Sequence, residues 1–293
     1  MTTHQFGGQW TEEKLNRIKK YLSAYMTIFK NNPRASKLNT FYVDAFAGTG
    51  YRNPEKVSID SLPLFDDNDA INLQKGSAQI ALESVPPFNE YIFVEQSPEY
   101  AEELEKLRLS FYQYYDKITI VQEDANSYIQ SWCKNKDWRF NRAVVFLDPY
   151  GMAVDWKTIE IIAQTQAIDL WLLFPLGQAV NRLLTKNSPP KGAWADRLTK
   201  FFGTNDWEEA FYRKKKQMSL FDTTDQPLVK EANFDSIGNF FIKRLKTVFA
   251  KVADTPLPLC NSRNVPIFLL CFAASNPKGA PTAVKIAQHI LGK

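Results

Sequence analysis

Apolar residues in this chain gather in short continuous runs separated by stretches with helical spacing. After Trp10, the residues Leu15, Ile18, Leu22, Tyr25 and Phe29 recur at helical intervals and predict a helix over 10–31. Thr11 is placed as its N-cap, with Glu12 and Glu13 in the first turn, and Asn31-Asn32-Pro33 as its stop. Short apolar runs predict strands over Thr40 to Phe46, Glu90 to Glu95, Ile118 to Gln122, Ala143 to Leu147 and Asp169 to Phe174. Helical patterns lie between them: from Gly76-Ser77 through Leu82, from Ser97-Pro98-Glu99, near Ala125 to Cys133, and near Trp156 to Gln164. Ser97 reads as an N-cap, with Pro98 at the first helical position. Gln178 to Leu184 is helical, Phe234 to Ala250 is a long amphipathic helix, Ile267 to Ala273 is a late strand, and Thr282 to Leu291 closes the chain as a helix. Residues 51–75 are largely polar, contain Pro54 and Pro63, and read as an inserted loop; 187–233 reads as a second, larger insertion. Strands alternating with helices predict a mainly parallel sheet covered on both faces, within one domain over 1–293.

Composition narrows the class. A chain of 293 residues buries a large core, and 44% hydrophobic with 23% charged residues is ordinary for a soluble globular protein. Cys133, Cys260 and Cys271 are scattered without metal-like spacing. They argue for a reducing compartment and against both a disulfide framework and a metal site. No apolar stretch is long enough to span a bilayer, and Thr11 to Lys20 is too polar for a signal core. The expectation is a cytoplasmic protein without a membrane partner. A net charge of +4 permits nucleic-acid binding without demanding it.

The chemistry sits at the strand ends. Asp44 opens the turn in F-Y-V-D-A-F-A-G-T-G, Glu95 closes Y-I-F-V-E, Asp124 closes I-T-I-V-Q-E-D, and Asp148 closes A-V-V-F-L-D. One acid at a strand end is most often a cap for the next helix. Four in order read as the ligand edge of a nucleotide-binding sheet, where ligands sit beyond the carboxyl ends of parallel strands. Gly48 and Gly50 remove the Cβ atoms that would keep a ligand from the backbone. No G-x-G-x-x-G is present, so backbone and carboxylate contacts are expected rather than a phosphate cradle. Asp44 is placed to accept from an ammonium group, Glu95 from two ribose hydroxyls, and Asp124, beside Ala125, from an adenine amino group. Together these match S-adenosylmethionine. Phe46 lies in the same turn and suits either that edge or the core. Asp148 and the Pro149 carbonyl are placed to accept from an exocyclic amine where a transferred methyl would project, and Tyr150 offers a stacking face.

With these segments aligned, the chain resembles a class I S-adenosylmethionine-dependent methyltransferase, which implies a Rossmann-like fold with a mainly parallel seven-stranded sheet. D-A-F-A-G-T-G resembles the first cofactor motif of that class, and E-D-A the adenine-binding segment. D-P-Y-G resembles the D-P-P-Y motif of enzymes that methylate amino groups of nucleic-acid bases, without its second proline. Longer motifs are similar to the three-Cys-motif partner (TcmP) family: F-G-G-Q-W-T-E-E-K-L, Y-L-S-A-Y, F-L-D-P-Y-G-M, D-L-W-L-L-F-P-L-G and N-P-K-G-A-P-T-A-V-K-I-A-Q-H-I. That resemblance implies a partner carrying a three-cysteine motif like those of radical S-adenosylmethionine enzymes. Gln217-Met218-Ser219-Leu220-Phe221 resembles the pentapeptide that docks bacterial proteins on the DNA sliding clamp, with Gln217, Leu220 and Phe221 as its anchors. It follows the basic run Arg213 to Lys216; Arg182 and Arg263 are further basic candidates near the sheet edge. A nucleic-acid methyltransferase, a cofactor-fold partner subunit without its own transfer activity, and a protein methyltransferase are the readings these residues leave open.

Overall fold

The structure, a computed structural model, describes residues 9–48, 76–214 and 228–292. Helix α1 (Gln9–Asn31) precedes β1 (Asn39–Asp44) and α2 (residues 76–82). Next come β2 (Glu90–Val94), α3 (Pro98–Ser110), β3 (Ile118–Val121), α4 (Ala125–Asn135), β4 (Asn141–Leu147), α5 (Trp156–Gln164) and β5 (Ile168–Phe174). After these lie α6 (Asn181–Leu183), α7 (Ala193–Phe202), α8 (Trp207–Phe211), and a small hairpin of β6 (Tyr212–Lys214) with β7 (Leu228–Lys230). The chain ends with α9 (Phe234–Lys246), β8 (Lys251–Val252), β9 (Leu257–Cys260), β10 (Pro266–Ala274) and α10 (Ala280–Leu291).

The main sheet runs β3-β2-β1-β4-β5-β10-β8, with β9 added as a hairpin partner of β10. Strands β1 to β5 are parallel, while β10 is antiparallel to both β5 and β8. This is the Rossmann-like order expected from the motifs. Strand order reverses between β1 and β4, because β2 and β3 extend one way from β1 and β4 and β5 the other. In open α/β sheets the crevice at such a reversal is where ligands bind.

Both faces are covered, which explains why the strands read as continuous apolar runs; every residue of β5 is buried. Alternate residues divide between two layers. Phe41, Val43, Val145, Leu147, Leu170 and Leu172 join residues of α4, α5, α7, α8 and α9. Tyr42, Tyr91, Phe93, Phe146, Trp171 and Phe272 join residues of α1, α2, α3 and α10. The segment 187–233 supplies core to the first layer rather than only surface. Phe201 stands 5.6 Å from Phe174 and Phe211 5.0 Å from Phe240, ring centre to ring centre.

Helix α1 crosses the second layer against the strand direction. Its Tyr21 hydroxyl donates to Asp169 at the amino end of β5 (2.6 Å), and its ring packs edge-on to Trp171 at 5.2 Å. Two turns earlier, Lys14 reaches Asp148 beyond the carboxyl end of β4. Arg17 fastens the same helix to α10 through the Ile290 carbonyl. Among the described residues no helix is long and apolar enough to cross a membrane.

Several boundaries depart from expectation for local reasons. Helix α1 begins at Gln9, so Thr11 is not its cap; the Thr11 hydroxyl is buried without a partner among the described residues. The Ser97 side chain makes no capping bond, and Glu95 accepts from the Ser97 N–H instead. The helix expected over Gln178 to Leu184 is a π-helical turn, Leu176–Val180, followed by the single turn α6. Gly177 there packs against the backbone of Pro266 too closely to admit a side chain.

Burial pushes the Asp169 carboxyl up to about 7, against the lowering pull of the Tyr21 hydroxyl and Arg142. An unfolded aspartate ionises near ~4. Between those values the folded state holds the extra proton, so stability falls as pH rises through that window. Asp169→Asn keeps an acceptor for Tyr21 but removes the titration. Its urea midpoint is expected to drop less than that of the wild type between pH 5 and pH 8; an identical drop would exclude Asp169 as a titrating group.

Candidate functional site

The four acids come to one edge of the sheet, as their order in the chain implied. Register places Asp44 level with Phe93 of β2 and Phe146 of β4. Glu95 and Asp148 therefore each stand two residues further out, on the two sides of β1. Asp124 follows β3 at the next position outward.

Asp44 is wholly buried, and neither carboxylate oxygen has a hydrogen-bond partner among the described residues. Desolvation raises its pKa to about 7. The Ser77 hydroxyl, the Phe46 N–H and Lys14 favour the charged form, while Asp148 opposes it. Ser77 and the Phe46 N–H thus face the carboxylate. A buried carboxylate left this way is costly unless a cationic or N–H-bearing group meets it.

Asp148 is partly exposed, Pro149 beside it is buried, and Tyr150 is 49% exposed. The turn continues through Gly151 at φ +58°, a conformation that favours glycine. Asn126 of α4 ties the far end of this loop down. Its amide donates to the Ala153 carbonyl (2.8 Å), and its oxygen accepts from the Asp155 N–H (2.9 Å) and the Thr158 hydroxyl (2.8 Å).

Sequence reasoning did not find Lys14. It has no exposed surface, pairs with Asp148, and lies 5.7 Å from the ring centres of both Trp10 and Phe146. A signal was present: Lys14 falls four residues before Ile18 and seven before Tyr21, on the apolar stripe rather than the polar face. A lysine almost never sits fully buried unless paired.

Glu95 is buried and folds back on the turn after β1. Its Oε1 accepts from the Ser97 N–H at 2.7 Å, while Oε2 has no well-formed partner among the described residues. Burial raises its pKa, opposed by the N–H groups of Ser97, Gln96 and Gly48. A Cβ on Gly48 would stand 2.8 Å from the Tyr100 Cβ and 2.9 Å from Glu95 Oε2. The first close approach that this glycine permits is therefore by Glu95 itself. Asp124 is exposed and caps α4, accepting from the Ser127 N–H at 2.9 Å. Ala125 is buried behind it, and Phe46 is half-buried against the core. Gly50 and the Gln217, Leu220 and Phe221 motif lie outside the described residues; of the basic run, Arg213 and Lys214 are exposed in β6.

A groove of about 540 Å³ opens between α2 and α3, lined by Gln79, Tyr100, Leu104 and Leu107 among others. It meets the site only at Ala47 and Gly48, and none of the four acids lines it. The four acids gather at the strand ends, outside that groove. Among the described residues no group of His, Cys, Asp and Glu is arranged to hold a metal ion.

No family model matches the chain, and no curated protein does. Among solved structures it is similar to a Legionella pneumophila protein of family-model DUF519, at 13% identity and TM-score 0.47, covering 98% of this chain and 92% of that one. It is also similar to spermidine synthase from Thermotoga maritima, at 11% identity and TM-score 0.38, covering 94% and 62%. A third is magnesium protoporphyrin IX methyltransferase from Synechocystis with bound SAM, at 9% identity and TM-score 0.29, covering 75% and 78%. These likenesses are distant; the fold assignment rests on the strand order itself.

Gly48→Ala is expected to displace Glu95 and Tyr100 and to destabilise the protein by about 1–3 kcal/mol, the usual range for overpacking. Chemical denaturation measures this. An unchanged midpoint would mean that the turn opens without strain.

Proposed function

We propose that this chain is an S-adenosylmethionine-dependent methyltransferase acting on a nucleic-acid base. The observation that carries the reading is Asp44, a buried carboxylate with both oxygens unpartnered among the described residues, at the strand reversal between β1 and β4.

The residues present fit the ligand. Asp44 would accept from its ammonium group. Glu95, with Oε2 unengaged, would accept from ribose hydroxyls, and Asp124 with Ala125 would border the adenine. Gly48 and the turn around Phe46 would line the amino-acid end. The ligand would supply the activated methyl group. Asp148, Pro149 and Tyr150 would orient the acceptor: a carboxylate and a carbonyl to receive an N–H, and a ring to stack on a base. Catalysis of this kind is mostly positioning in a site that excludes water. The basic residues support a nucleic-acid acceptor, since α6 with Arg182 follows the carboxyl end of β5, and the β9–β10 turn with Arg263 lies at the same edge. Docking on a sliding clamp through Gln217, Leu220 and Phe221 belongs to the same reading.

The engagement of Asp148 by Lys14 favours a second reading, a cofactor-fold partner subunit of a three-cysteine-motif protein. Co-purification with such a protein, with no methyl transfer by the pair, would select it.

Calorimetric titration with S-adenosylmethionine is expected to show saturable binding in the wild type and its loss in Asp44→Ala and Glu95→Ala. Because Asp44 ionises near 7 in the free protein, a cation that binds it favours the deprotonated form. Affinity should rise as pH climbs through 7, and binding below that pH should release a proton, measurable in buffers of different ionisation enthalpy. Asp44→Asn should remove both effects. Binding that ignores Asp44 would sink the cofactor assignment. Tritiated methyl is then expected in DNA or RNA; label in protein would redirect the acceptor.

A further inference from the structure

Helix α1 carries a full positive charge into the site. Lys14 has no exposed surface, whereas the Asp148 side chain keeps 23% of its own. The ammonium therefore lies on the inner side of the pair and the carboxylate on the outer. Lys14 engages Oδ2 of Asp148, lies against the Trp10 and Phe146 rings, and is close enough to Asp44 to influence it. Three ionisable groups thus share the crevice between β1 and β4. The charge on Asp148 is answered from within the chain, while Asp44 is left without a hydrogen-bonded partner among the described residues.

We propose that Lys14 is a specificity-determining residue: through Asp148 it keeps the acceptor end of the site neutral, so that this end admits an uncharged hydrogen-bonding group and refuses a protonated alkylamine. The inference rests on the methyltransferase reading above and deepens it. A second ammonium at Asp148 would stand beside Lys14 with one carboxylate between them, and the two like charges would repel. An uncharged exocyclic amine of a base can donate to Asp148 without disturbing the pair. The ligand's cationic end is thereby directed to Asp44, and the acceptor end is reserved for a neutral group.

S-adenosylmethionine and S-adenosylhomocysteine test this, because they differ at the point of transfer by one methyl group and one positive charge. Their dissociation constants are measured by calorimetry on the full chain carrying Lys14→Met, Lys14→Arg or Asp148→Asn. Removing the lysine charge should shift preference toward the charged ligand by at least about fivefold relative to the wild type, equivalent to about 1 kcal/mol. Lys14→Arg, which keeps the charge, should leave the ratio within about twofold. Asp148→Asn, which leaves Lys14 unanswered, should shift it the other way, and it decides the matter even where Lys14→Met does not fold. A purely structural lysine would change both affinities together, and a constant ratio in Lys14→Met and Asp148→Asn would overturn the proposal while leaving the cofactor site intact. Failure of the folded wild type to bind either ligand would overturn the methyltransferase reading and this inference with it. Transfer of tritiated methyl to polylysine by the wild type would overturn the assigned acceptor class directly.

Discussion

The contact between Lys14 and Asp148 links the two halves of this structure. It joins the first helix of the chain to the loop after β4, across 134 residues of sequence. Lys14 is fully buried and Asp148 partly exposed, so losing the carboxylate would leave a buried ammonium uncompensated. That cost holds α1 in its place over the second layer, where Tyr21 and Arg17 then engage Asp169 and Ile290. A helix bound only by apolar contacts could slide along the sheet. One pinned by charge at its start and by a hydroxyl two turns later has a single position.

The acids at the sheet edge divide by environment rather than by type. Asp124 is exposed and serves α4 as a cap. Glu95 is buried but receives backbone N–H groups from the turn it closes. Asp148 has Lys14. Among the four, Asp44 alone combines complete burial with two oxygens that lack a hydrogen-bond partner among the described residues, and burial moves its ionisation into the neutral range. A group poised that way responds to a ligand's charge, whereas the other three are already engaged with the protein.

Much of this was legible in the chain. The strands read correctly because burial on both faces demands continuous apolar runs, and the helix expected near Trp156 to Gln164 is α5, with Trp156, Ile159 and Ile162 on its buried face. The ordered acids were legible because parallel strands separated by helices must deliver their carboxyl ends to one edge. Less was visible where packing overrode local preference. Thr11 looked like a cap, yet α1 starts earlier at Gln9. Gln178 to Leu184 looked helical, yet close approach between Gly177 and Pro266 accompanies a π-helical turn. The short strands β8 and β9 carry too few residues for a periodic signal, since β10 supplies their pairing.

The sequence by itself determined the order of elements, the parallel character of the sheet and the edge at which the four acids gather. These follow from periodicity and from chain direction, which are properties of neighbours along the backbone. Tertiary structure alone decided the charge state of that edge. Glu95 and Asp124 take their N–H partners from two and three residues along the chain, but the pairing of Asp148 depends on a group brought in from elsewhere, Lys14 from a helix before the first strand. Coulomb and desolvation energies depend on distance through space, and a distance of 134 residues along the chain carries no record of one ion pair across it.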